Sequence, residues 1–165
     1  ILAEPFPDTG LAVAPLYDEP FLAAVPRSHR MAQRERVSAE ELKNETMLLL
    51  GTGHCFRDHV LEVCPEFARF SSNAEGIRKS FEGSSLETIK HMVAAGMGVT
   101  LVPRLSVPKS ALGPKGKLKP NTDEGFVRYL PFSGEAPTRR VVLVWRRSFP
   151  RYEAIAALRN AIYAC

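Results

Sequence analysis

Apolar positions recur along the chain in short runs separated by proline, glycine and polar clusters. Residues 11–17 (Leu-Ala-Val-Ala-Pro-Leu-Tyr) and 21–25 (Phe-Leu-Ala-Ala-Val), punctuated by Pro15, Pro20 and Pro26, predict two short strands. Ser38-Ala-Glu-Glu-Leu places a serine at a cap position with Glu41 three residues later, the capping-box pattern that opens a short helix. The run Met47–Leu50 reads as a buried strand ending at Gly51-Thr-Gly53. A second capping box, Ser84-Ser-Leu-Glu87, opens a helix in which Leu86, Ile89, Val93 and Met97 fall on one face. Gly96 and Gly98 stop that helix, and residues 99–102 follow as a strand closed by Pro103. Val127–Leu130 and residues 141–145 predict further strands. Tyr152, Ile155, Leu158 and Ile162 mark an amphipathic helix after Pro150. Residues 109–125, rich in Lys, Pro and Gly and without periodicity, predict an exposed loop. Strands alternating with helices indicate an α/β layer architecture with a largely parallel or mixed sheet.

Composition narrows the class. At 165 residues, 45% hydrophobic and 24% charged, the chain has the size and balance of an ordinary globular domain able to bury a core without staples. Its net charge of +4 comes from 22 Lys and Arg spread along the chain with no long basic run, so this segment does not signal nucleic-acid contact. Its apolar runs are far shorter than the ~20 residues of a membrane-spanning helix. The chain opens Ile-Leu-Ala-Glu-Pro, without an initiator Met, a basic region or a cleavage pattern, which predicts a piece of something longer that is not exported. Three cysteines, an odd number, point to a reducing compartment, the cytoplasm by default, and to chemistry rather than stapling. No cofactor motif is read: Gly96-Met-Gly98 follows a helix and precedes a strand, the reverse of a dinucleotide loop.

The stretch with most chemistry is Gly53-His54-Cys55-Phe56-Arg57-Asp58-His59-Val60-Leu61-Glu62-Val63-Cys64-Pro65, with two cysteines nine positions apart. Val60, Leu61, Val63 and the terminating Pro65 predict a helix over 58–63, which would hold the cysteines up to ~13 Å apart. A disulfide requires Cα atoms within about 7 Å, so helix and disulfide exclude one another, as in a switch. Cys55 has His54 beside it, Arg57 two residues on and the start of the helix, all of which suit a reactive thiolate. Cys64, flanked by Val63, Pro65, Glu66 and Phe67, suits a resolving thiol. Three other readings stay open. The cysteines could be ordinary core residues. His54, Cys55, His59 and Cys64 could bind a metal, though they lack zinc-module spacing. Cys55 could be a hydrolase nucleophile with His54, His59 or His91 as base, though no oxyanion signature accompanies it. Cys165 reads as an uninvolved terminal thiol.

Gly-His-Cys-Phe-Arg-Asp, with the second cysteine nine positions after the first, resembles the redox centre of the peroxide-sensing LysR-type transcriptional regulators. Ser85-Leu-Glu-Thr-Ile-Lys-His-Met-Val-Ala-Ala-Gly-Met-Gly-Val-Thr-Leu-Val-Pro103 is similar to the helix–turn–strand of LysR-type regulatory domains. Pro15-Leu-Tyr-Asp-Glu-Pro-Phe21, Tyr129-Leu-Pro131 and Arg139-Arg140 extend the likeness over nearly the whole chain. Residues 65–83 and 109–125 are longer than the family pattern.

The resemblance implies a periplasmic-binding-protein-like domain of two α/β subdomains. Residues 21–138 would form subdomain II, largely complete. Residues 1–20 and 139–165 would be a remnant of subdomain I, and the DNA-binding winged helix-turn-helix would lie outside this chain. It also implies that Cys55 is the peroxidatic thiolate, oxidised to sulfenic acid, and Cys64 the resolving thiol that closes the disulfide. His54, Arg57, Asp58 and Arg140 would supply the polar surroundings. No metal or cofactor and no turnover catalysis are implied. The implied partners are hydrogen peroxide, a homodimer or tetramer, DNA through the missing domain, RNA polymerase and a thioredoxin- or glutaredoxin-type reductant, with no membrane. The competing reading is a LysR-type domain that binds a small metabolite between its subdomains, with incidental cysteines.

Overall fold

The first long apolar stretch does not break at its prolines. In the computed structural model, which describes residues 1–6, 10–52, 54–63, 80–119 and 125–164, Leu11–Pro26 is one sixteen-residue strand, β2, preceded by the two-residue β1 (Leu2–Ala3). Proline's fixed φ suits extended backbone and removes only a ladder donor. Between Pro20 and Pro26, residues 21–25 carry no proline, and there the strand pairs with neighbours on both sides.

The chain forms two compact units, Ile1–Glu19 with Thr138–Cys165, and Pro20–Pro137. In the larger unit, Phe21–Ala24 pair antiparallel with β5 (Thr100–Pro103), and Ala23–Pro26 pair antiparallel with β6 (Val127–Leu130). Alternation along this strand sorts its side chains to two faces. Phe21, Ala23 and Val25 enter the main core with Met47, Leu48, Leu49, Ile89, Leu101 and Leu130. Leu22 and Ala24 enter a second cluster with Val102, Val107 and Tyr129. The short helix α1 (Ala39–Leu42) opens on the predicted capping box, with Ser38 N–H donating to Glu41 at 2.9 Å and Glu41 N–H to Ser38 Oγ at 3.3 Å. The fully buried β3 (Met47–Leu50) pairs in parallel with β4 (Ser80–Gly83).

Helix α2 (Cys55–Val63) and helix α3 (Leu86–Ala94) each have nine residues. The cap of α3 is Ser85 rather than Ser84: its hydroxyl accepts from Thr88 N–H at 3.1 Å, and Glu87 pairs instead with Lys90 at 2.7 Å. Ile89 and Val93 are buried as the spacing predicts, but the helix ends before Met97, which is 46% exposed. The two glycines of the turn serve different ends. Gly96 takes the left-handed conformation at φ +80°. At Gly98 a Cβ would stand 2.4 Å from the Thr46 carbonyl, because β3 passes directly against it: Val99 N–H donates to Thr46 at 2.9 Å and Leu48 N–H to Val99 at 2.8 Å. Described segments of the predicted loop at 109–125 are more ordered than their composition suggests. Lys109–Ala111 and Pro114–Gly116 are single 3-10 turns, and Leu112 and Leu118 bridge and pack on the second cluster.

In the smaller unit, β1 pairs antiparallel with β7 (Thr138–Arg146), and β7 lies beside β2. Leu16, Val141 and Leu143 form its core, with Trp145 and with Ile155 and Ile162 of helix α4 (Tyr152–Tyr163) packed on them. Tyr152 and Leu158, predicted for the same face, are 59% and 46% exposed. The Tyr152 hydroxyl donates to the Arg147 carbonyl at 3.2 Å. The β1–β7, β2–β5 and β2–β6 pairs are antiparallel and the β3–β4 pair is parallel, so the architecture is mixed α/β.

Candidate redox site

Helix α2 begins at Cys55, three residues earlier than the apolar pattern predicts. The Gly51 carbonyl accepts from His54 N–H at 3.4 Å and the His54 carbonyl from Arg57 N–H at 2.9 Å, so the chain turns into the helix straight from the end of β3. Cys55 is a free, exposed thiol in the first helical position, where the unpaired N–H groups concentrate partial positive charge.

The early start re-sorts the neighbours. At about 100° per residue, positions 55, 58 and 62 share one side of a helix, positions 56, 57 and 60 take the other, and position 59 lies at the boundary. Cys55, Asp58 and Glu62 are accordingly exposed, while Phe56, Arg57, His59 and Val60 are buried. Arg57, two positions on, does not share the helix side of Cys55. Its guanidinium, 8% exposed, donates through Nη1 to the Leu50 carbonyl at 2.9 Å, tying α2 to the end of β3. Asp58 brings its carboxylate into the first turn, a favourable place for negative charge. His54 is exposed immediately before the helix.

His59, offered by the sequence as a base or metal ligand, is 3% exposed and faces the core, with its ring centroid 6.5 Å from that of Phe21. His91 is exposed on α3. Among the described residues, no group of three His, Cys, Asp or Glu side chains is placed to hold a metal ion. No described helix is long and apolar enough to cross a membrane. Arg140 lies on β7 in the smaller unit, where Nε and Nη2 grip the two carboxylate oxygens of Asp18 at 2.9 and 3.1 Å. Hydrogen bonding to Arg140 holds the Asp18 carboxyl below its ordinary range. Cys64 and Cys165 lie outside the described residues.

Sequence reasoning missed Phe21 as part of the setting of α2, because nothing local links a strand residue to a helix 35 positions later. Its ring meets Phe56 edge-on, with centroids 5.5 Å apart and planes at 71°.

The chain matches the LysR substrate binding domain family over residues 1–164. It is 39% identical over 145 residues to a hydrogen peroxide-inducible genes activator of Pectobacterium carotovorum, covering 86% of this chain and 42% of that protein; the chain thus spans under half the length of this curated relative. Among solved structures it is similar to the reduced form of the OxyR regulatory domain from Pseudomonas aeruginosa, with TM-score 0.76 and 39% identity over 99% of this chain and 70% of that one. It is similar also to a reduced form of OxyR from N. meningitidis, with TM-score 0.78 and 39% identity over 98% and 68% of the two chains. With the periplasmic-binding-protein-like fold in place and the likeness running the length of the chain, this protein belongs to the LysR substrate-binding domain family, in its OxyR branch.

Proposed function

We propose that this chain is the hydrogen-peroxide-sensing regulatory portion of a LysR-type transcriptional regulator, with Cys55 as the sensing thiol. The observation that carries the reading is the placement of Cys55: a free thiol, open to solvent, on the first residue of a helix. Peroxide attack by a thiolate breaks the O–O bond, releases hydroxide and leaves a sulfenic acid on Cys55, a two-electron oxidation. The Cys64 thiol then attacks that sulfur, the S–O bond breaks, water leaves and a disulfide remains. A helix from Cys55 to Val63 spans roughly 12 Å, beyond the about 7 Å a disulfide tolerates between Cα atoms, so closure requires α2 to unwind. That change of fold is the signal.

In this reading the unit Pro20–Pro137 is regulatory subdomain II, and Ile1–Glu19 with Thr138–Cys165 is part of subdomain I. His54 and Asp58 shape the polar surroundings of the thiol, and Arg57 ties the helix that carries it to the end of β3. DNA, RNA polymerase and a further copy of the chain are partners of the whole regulator, and a thioredoxin- or glutaredoxin-type dithiol resets the disulfide. The protein responds once per oxidation and is not a turnover enzyme. The test is peroxide treatment of wild type and Cys55→Ser, followed by far-UV circular dichroism and trapping of sulfenic acid with a dimedone probe. Wild type loses helix and takes up the probe transiently, whereas Cys55→Ser does neither. A Cys55→Ser protein that still changes conformation with peroxide overturns the reading.

A further inference from the structure

Two ring contacts of α2 fall on one residue of another element. Phe21, 1% exposed, receives Phe56 edge-on at 5.5 Å and His59 at 6.5 Å with the rings tilted by 35°. Positions 56 and 59 are three apart, and side chains so spaced meet one target only while the backbone between them is helical. Phe21 itself is fixed. Its N–H donates to the Pro137 carbonyl at 2.9 Å, and it is in register with Pro103 of β5. The seat cannot follow the helix if the helix unwinds.

We propose that Phe21 is a positioning residue that holds α2 in its helical form and thereby sets the thiol–disulfide equilibrium of Cys55 and Cys64. The proposal rests on the disulfide reading above. Contacts of Phe56 and His59 with Phe21 belong to the helical, dithiol form and are lost when α2 unwinds to let the sulfurs meet. They therefore weigh on one side of the equilibrium only. Weakening them favours the disulfide. Phe21 touches neither peroxide nor sulfur in this account. It acts through the helix, by the edge-to-face geometry that aromatic pairs prefer.

The test is redox titration with glutathione, in which one oxidised glutathione accepts two electrons from the Cys55/Cys64 dithiol and yields two reduced glutathiones and the protein disulfide. Replacing Phe21→Leu keeps an apolar side chain but removes the ring. The ratio [GSH]²/[GSSG] at half-oxidation then rises about five- to tenfold over wild type. In the fully reduced protein, amide hydrogen exchange of residues 58–63 accelerates while that of α3 does not. Phe56→Leu shifts the ratio in the same direction, and the double variant shifts it by less than the product of the singles, because the two rings share one contact. Val102→Ala, in the second cluster on the other face of the sheet, serves as a control for general loss of stability and leaves the ratio unchanged. An unmoved ratio in Phe21→Leu, or an equal shift in Val102→Ala, overturns the proposal. Should Phe21→Leu fail to fold, Phe56→Leu reads the same contact. If wild type forms no Cys55–Cys64 disulfide at all, the disulfide reading fails and the equilibrium claim falls with it. Exchange at residues 58–63 then still decides whether Phe21 holds the helix.

Discussion

Helices α2 and α3 are of equal length and pack on the same core, yet they are fastened differently. Helix α3 is capped by Ser85, ends at a left-handed Gly96 and buries only aliphatic side chains, Ile89 and Val93. Helix α2 buries a guanidinium and an imidazole beside Phe56 and Val60, and exposes a thiol at its first residue. Burying polar groups returns less than burying aliphatic ones, because their hydration must be replaced by hydrogen bonds. The lesson is that α3 belongs to the permanent frame, whereas α2 adds to its share of the core directional contacts, among them Arg57 to Leu50 and Phe56 to Phe21, that can be given up together.

The sharpest way to break this comparison is to truncate each helix's anchor in both redox states. Phe56→Ala is expected to cost about 3 kcal/mol in the dithiol protein and clearly less in the disulfide form, whereas Ile89→Ala costs about 3 kcal/mol in both. Chemical denaturation with and without reductant measures this, and equal losses for Phe56→Ala in the two states would erase the distinction. Next in size is Gly98→Ala, where the added Cβ collides with the Thr46 carbonyl. We expect a loss of about 2–3 kcal/mol in the frame, independent of redox state. Ser85→Ala removes the α3 cap and should cost about 1 kcal/mol, with faster amide exchange confined to the first turn of α3.

The smallest effect concerns Glu45. Burial pushes its carboxyl up, but hydrogen bonds and charge from Arg30 and His29 outweigh this and hold it below its ordinary value. A carboxyl whose folded pKa is depressed stabilises the fold above its unfolded pKa and loses that contribution as pH falls through the folded value. Glu45→Gln should therefore cost under about 1 kcal/mol at neutral pH, and the gap to wild type should narrow as the pH is lowered below about 4. Denaturation curves at neutral and acid pH read the difference. It should not depend on redox state, since its partners His29 and Arg30 lie outside α2.

The frame was largely legible in the sequence. Serine caps and glycine stops act within a few residues, so Ser38 with Glu41, the turn after α3 and the aliphatic face of Ile89 and Val93 could all be read locally. Errors arose where long-range pairing decided. Pro15 and Pro20 suggested breaks, but pairing with β7, β5 and β6 keeps β2 continuous. Leu112 and Leu118 looked like loop residues until the second cluster drew them in. At the candidate site the motif was legible through Cys55, but its geometry was not. Starting the helix at Cys55 sends Arg57 to the Leu50 carbonyl, and the role of Phe21 depends on a contact that no local pattern encodes.

The most direct test of the central claim is peptide mapping of the protein after stoichiometric hydrogen peroxide, with free thiols alkylated before digestion. The account predicts a disulfide-linked peptide pair joining Cys55 to Cys64, absent after reduction and absent from Cys55→Ser. Recovery of Cys55 and Cys64 as alkylated thiols, or of Cys55 bonded instead to Cys165, would contradict it.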